Sequence, residues 1–156
     1  MKQDNAIATD GPLAARRQPG ASRQTVRTAD EYGRKIVRVP LAKGRGEAVI
    51  DQRDFDLLMR IGVSPAWFLN GTERGRYVRT SMRGIRGSLV GVARVITRAR
   101  RGQIVKYRDG NRLNLRRGNL KVASGRSNRT DAVEIVRAAV ARAAGDPETV
   151  GLEGRD

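Results

Sequence analysis

The chain has no cysteine and no histidine among its 156 residues, and aromatic residues make up only 4% of it. Without cysteine there is no disulfide framework. Without cysteine or histidine there is also no zinc site of the usual ligand types, no Cys or His nucleophile and no imidazole base working near neutral pH. Most ordinary enzyme chemistry is therefore hard to build. Long apolar runs are missing too: no stretch approaches the ~18 apolar residues of a membrane helix, and residues 1–33 lack the apolar core of a signal peptide. The expectation is a cytoplasmic, nucleoid-associated protein with no membrane partner. The sparse aromatics and 38% hydrophobic residues predict a modest core.

Acid is scarce in one place only. The chain holds 32 Lys and Arg against 16 Asp and Glu, a formal +16, yet residues 74–129 contain 17 basic residues and a single acid, Asp109. The remainder balances. A solvated face mixes its signs, whereas one-sided charge at this density points to a polyanion, most simply a nucleic acid, with an anionic membrane as the lesser option. Of the basic residues 27 are arginine, whose planar fork suits phosphates and guanine edges. A GC-rich genome also favours arginine, but it does not explain the segregation.

Pattern along the chain predicts an α+β fold in four parts. Residues 1–33 are polar, carry Gly-Pro and Pro-Gly breakers, and read as a disordered arm. Residues 34–87 read as a small β-rich DNA-binding module. In it, Ile36–Val39 and Glu47–Ile50 form a hairpin, and Asp51 N-caps a helix whose apolar face is Phe55, Leu58, Met59 and Ile61. Trp67–Leu69 and Arg76–Arg79 supply further strands, with Trp67 and Phe68 expected in the core. Residues 88–144 begin with a helix over 88–99, its outer side showing Arg94, Arg98 and Arg100. Strands Gln103–Arg108 and Asn119–Ala123 follow, then a helix capped by Asn128 with Val133, Val136, Val140 and Ala143 inward. That helix, at 129–144, packs on the domain or pairs with a second copy as a homodimer. Residues 145–156 read as a disordered acidic tail.

The stretch Ile104–Val122, with Gly110-Asn111-Arg112-Leu113 and Arg116-Arg117-Gly118-Asn119-Leu120 at its centre, resembles the HNH endonuclease family of phages and mobile elements. Val92–Ile96 is similar to that family's upstream helix, and Val39–Phe55 to its leader. The leader is also similar to the three-stranded DNA-binding module of plant ethylene-response factors. The likeness covers about residues 36–130 and implies a ββα-metal core that holds one divalent cation against a scissile phosphate. Three of the family's groups are replaced. Ala93 stands at the upstream His, Lys106 at the metal-ligating acid and Tyr107 at the general-base His. A lysine repels a cation where one must bind, and tyrosine, with a reference pKa of about 10, is a poor base at neutral pH. Asn119 and Asn128 persist at the second and third signature positions. Their favoured reading is structural, with Asn119 bracing the loop and Asn128 capping the helix, since one neutral amide is a weak site for a hard cation.

The resulting expectation is a DNA-binding protein on a catalytically inactive HNH-nuclease scaffold, acting as a transcriptional regulator or site-binding factor, with no metal and no cofactor. Arg108, Arg112, Arg116, Arg117 and Lys121 are the expected phosphate contacts, joined by Arg94, Arg98 and Arg126. A second patch, Arg74, Arg76, Arg79, Arg83 and Arg86, is the expected place for sequence reading. Two alternatives stand beside this: a divergent nuclease using Asp109 with Mg²⁺ or Mn²⁺, and an RNA-binding structural protein.

Overall fold

The structure, a computed structural model, describes residues 24–73, 75–85, 89–127 and 132–145. Among them the fold is mixed α+β, with three small antiparallel sheets and three α-helices. The first sheet contains β1 (Val26–Ala29), β2 (Lys35–Pro40) and β3 (Glu47–Asp51) in that order. Alternation in β2 and β3 turns Val37, Val39, Ala48 and Ile50 to one face, where α1 (Gln52–Arg60) covers them with Phe55 and Leu58. The second sheet is β4 (Phe68–Asn70), β5 (Tyr77–Ser81) and β6 (Leu89–Gly91). Its inner face carries Val78, Thr80 and Val90, all buried. A short helix α2 (Val92–Thr97) then leads to the hairpin β7 (Gln103–Tyr107) and β8 (Leu120–Ser124), and α3 (Ala132–Ala143) closes the described chain against α2. One hydrophobic cluster runs through all of these except β1, from Val37 to Ala139, with Trp67 fully buried in it. The expected parts 34–87 and 88–144 therefore share a single core.

Two further joints tie those parts together. The long β7–β8 loop lays Asn114 beside Val49 in a parallel bridge: the Val49 N–H donates to the Leu113 carbonyl at 2.8 Å and the Leu115 N–H to the Val49 carbonyl at 2.7 Å. The loop thus extends the β3 edge and leaves it paired. Beside the bridge, Arg116 reaches Asp30 at 2.7 Å and Asp51 at 2.9 Å, while Arg117 reaches the buried carboxylate of Asp54 at 2.6 Å. Burial alone would raise the Asp30 carboxyl. The backbone N–H of Arg34, the Arg116 and Arg34 side chains and the Tyr32 N–H outweigh that and hold it well below the usual carboxylate range.

Several expectations are corrected here. The proposed arm over residues 1–33 contains strand β1 at its end, paired with β2 and followed by a turn in which Asp30 accepts from the backbone of Tyr32 and Arg34. Asp51 does precede α1, but its side chain makes no cap hydrogen bond and serves Arg116 and the Arg117 N–H instead. The expected helix over 88–99 is strand to Gly91, because Val90 pairs with Thr80, and helical only from Val92. Phe68 is half-buried on the outer face of the second sheet rather than in the core. In α3 the inward residues are Ala132, Ile135, Val136 and Ala139, spaced one helical face apart, whereas Val140 is 49% exposed and Ala143 exposed. Of the apolar stripe on this helix, Ile135 and Val136 pack against the chain's own core, whereas Val140 stays exposed. The expected site residues Arg74, Arg86 and Asn128, and the 146–156 tail, lie outside the described residues. Among the described residues no helix is long and apolar enough to cross a membrane.

Candidate nucleic-acid interface

Hairpin β7–β8 pairs Gln103 through Tyr107 with Ser124 through Leu120, one for one. Period two sends Val105, Tyr107 and Leu120 toward the core and leaves Lys106 and Lys121 exposed, directly opposite each other on the other face. Like charges at a cross-strand pair oppose folding. Nothing anionic relieves them, since no ion pair among the described residues involves either lysine. The same holds for the exposed Arg98, Arg100, Arg101, Arg108, Arg112 and Arg126.

These cations are arranged along the hairpin. At its open end the turn after α2 is sewn to the segment after β8, with the Gly125 N–H donating to the Gly102 carbonyl at 2.9 Å and the Gly102 N–H to the Ser127 carbonyl at 3.1 Å. That places the segments carrying Arg100, Arg101 and Arg126 side by side. At the other end the loop carries Arg108 and Arg112. The strands between span roughly 17 Å, a length over which a duplex bears about ten phosphate charges.

The loop itself is held by Asn119 and Asp109. Asn119 is buried; its Oδ1 accepts from the Asp109 N–H at 3.0 Å, and its Nδ2 donates to Asp109 Oδ1 at 2.8 Å and to the Asn114 carbonyl at 2.9 Å. Asn114 Nδ2 donates to the other Asp109 oxygen at 2.8 Å, and the Asn111 N–H to the first. The Asn114 side chain first, with the Asn111 N–H and the Asn119 amide, holds the Asp109 carboxyl below its ordinary value against the opposing effect of burial. The bracing role expected of Asn119 is what its geometry shows.

Beside the hairpin lies an open cleft of about 830 Å³ between the second sheet and β7. Gly75, Tyr77, Gly91 and Ala93 line it from one side and Ile104–Tyr107 from the other, with Gly110, Arg112, Arg126 and Ser127 completing the wall. No acid lines it. Ala93, Lys106 and Tyr107 meet in this cleft, whereas Asn119 lines a different surface pocket with Asp51 and Asp109. Among the described residues no group of three His, Cys, Asp or Glu could hold a metal ion.

The remaining candidates divide. Arg94, expected on the outer side of its helix, is 7% exposed and donates to the carbonyls of Gln103 at 2.6 Å and Arg100 at 3.0 Å. It neutralises the carbonyls where the chain leaves α2 and is a structural residue. Arg116 is likewise committed to Asp30 and Asp51, with 19% of its side chain exposed, and leaves the phosphate set. Arg117 is bound to Asp54 but keeps 58% exposure, so one side of its guanidinium still faces solvent. In the second patch, Arg79 sits 5.9 Å over the Tyr77 ring and donates to the Leu89 carbonyl, Arg76 lies near Glu73 just before β5, and Arg83 is exposed after it. These three do not form one strand face. The residues missed by sequence reading are Arg100 and Arg101 as parts of the hairpin's open end; their adjacency to Arg126 comes from backbone pairing across about 25 residues. No protein-family model, curated protein or solved structure matches the chain.

Proposed function

We propose that this protein binds double-stranded DNA through phosphate contacts made by the β7–β8 hairpin and its flanking loops, as a transcriptional regulator or comparable site-binding factor. The observation that carries the reading is the opposed, uncompensated pair Lys106 and Lys121 within a hairpin whose two ends add Arg100, Arg101, Arg126, Arg108 and Arg112. A chain that pairs Asp30, Asp51, Asp54 and Asp56 with arginines elsewhere leaves this surface a single acid among the described residues, Asp109, whose carboxylate is engaged by amides of its own loop. Phosphate supplies the missing charge, and release of condensed counterions supplies the affinity.

The scaffold is read as HNH-like and catalytically inactive. Convergence of Ala93, Lys106 and Tyr107 on one cleft supports the resemblance, because separate stretches of the pattern fall together in space. The same three side chains argue against hydrolysis: none is a carboxylate or imidazole, and Lys106 brings positive charge to the place of a cation. The nuclease alternative needs Asp109 as a ligand. Both of its oxygens are engaged by amides of its own loop.

The test is an electrophoretic mobility assay on a duplex library with the wild type and with Lys106→Ala/Lys121→Ala. The double variant is expected to weaken binding at least tenfold on all sequences alike while raising thermal stability, since it removes a like-charge pair. Unchanged affinity contradicts the assignment. Cutting of supercoiled plasmid in Mg²⁺ or Mn²⁺ contradicts the inactive reading.

A further inference from the structure

The phosphate grip needs only the exposed cations of the hairpin. It leaves the adjoining cleft unexplained, and the composition of that cleft is unusual for this chain. Only six residues are aromatic, and two of the three tyrosines, Tyr77 and Tyr107, line it from different sheets. Both are half-buried, and each carries a guanidinium near its ring, Arg79 at 5.9 Å and Arg112 at 5.6 Å. The opposite requirement, room for a flat ring to slide in, is met by Gly75, Gly91 and Ala93 on the same wall. A Cβ added at Gly75 would meet nothing within 4 Å.

We propose that this cleft receives one unpaired nucleotide of the bound DNA, its base stacked against the tyrosines and its flanking phosphates held by Lys106, Arg112 and Arg126. The inference rests on the DNA-binding reading and adds a preference to it. Volume agrees: about 830 Å³ admits a nucleotide, while a paired duplex is too wide to enter and can only lie across the mouth. Chemistry agrees as well. Aromatic rings beside cations, with no carboxylate among the described lining residues, take an extruded base and its phosphates whatever the base identity, because every base has a π face.

Fluorescence anisotropy with a fully paired duplex and with the same duplex carrying a single-nucleotide bulge tests the proposal. The wild type is expected to bind the bulged duplex about tenfold more tightly, the scale of one base stacked on an aromatic ring. Two variants remove the preference by different routes. Gly75→Leu fills open space from a position without left-handed backbone, and Tyr107→Leu takes away a ring. If Tyr107→Leu fails to fold, Gly75→Leu decides alone, and its affinity for the paired duplex is expected to stay within twofold of wild type. Equal binding of the two duplexes by the wild type overturns the cleft proposal and leaves the DNA reading standing. A preference that survives Gly75→Leu undiminished also overturns it, since the bulge would then be recognised elsewhere. No binding to either duplex overturns both.

Discussion

One asparagine and two arginines show how a side chain's identity and its use separate. Asn119 makes three hydrogen bonds inside the β7–β8 loop, so Asn119→Ala leaves the Asp109 N–H and the Asn114 carbonyl short of partners and is expected to cost about 2 kcal/mol in denaturant unfolding. Asn119→Asp tests the arrangement more sharply, because it sets a second carboxylate at the 2.8 Å contact with Asp109 and is expected to destabilise more than alanine does. The opposite ranking would mean the loop is not braced in this way. The role of Asn119 was legible from sequence, as a polar residue that the resemblance placed opposite a long loop. The roles of Arg94 and Arg116 were not. Charge count treats every arginine as a surface cation, but the partners of Arg116 lie 65 and 86 residues away, and those of Arg94 are backbone carbonyls that carry no sequence signature.

Short elements set the limits of pattern reading at the next scale. Strands β2 and β3, helix α1 and the β7–β8 hairpin stood out because each has a buried side with the right period. Strand β1 did not, since all four of its residues are exposed and its stability comes from pairing with β2. The signal that could have found it is the Asp30-Glu31-Tyr32-Gly33 turn, where Asp30 receives two backbone N–H groups and Gly33 takes a φ of +76°. Helix α2 ends after six residues because Arg98 adopts a left-handed conformation, φ 53° and ψ 41°, from which its N–H and that of Ala99 return to carbonyls of the last turn. Glycine is the residue that fits this position without strain. Arg98→Gly is therefore expected to stabilise the fold by about 0.5 to 1 kcal/mol. If Arg98 is one of the phosphate contacts, the same change lowers DNA affinity, so that melting temperature rises as binding weakens; a fall in both would mean the left-handed cap is not the governing feature.

Across the whole molecule, charge is sorted. Acids of the first half, Asp30, Asp51 and Asp54, receive the two loop arginines that lock the halves together, while Lys106, Lys121 and the arginines at the two ends of the hairpin stay without an ion pair among the described residues. Charge segregation was visible in the sequence, but the subtraction of Arg94 and Arg116 from it was not. The lock and the braced β7–β8 loop also have a pH signature. Asp30 and Asp109 both have carboxyls held below their unfolded values, so each contributes stability that is fully present above about pH 4 and is lost as pH falls toward the folded value. Melting temperature is expected to be nearly level from pH 8 to 5 and to drop below about pH 4, with a shallower acid drop in Asp30→Asn. An acid drop of equal steepness in the variant would remove Asp30 from the account.

Salt dependence of duplex binding tests the central claim most directly. A titration of the dissociation constant against salt concentration reads the number of phosphates neutralised, with a slope of about −0.9 for each in a plot of log affinity against log salt. The hairpin surface, with Lys106, Lys121 and the arginines at its two ends, predicts a slope of about −4 or steeper for the wild type, reduced by nearly 2 in Lys106→Ala/Lys121→Ala and unchanged in Arg94→Lys. A flat response, or a slope indifferent to the lysine pair, would contradict the assignment of this hairpin as the DNA-gripping surface.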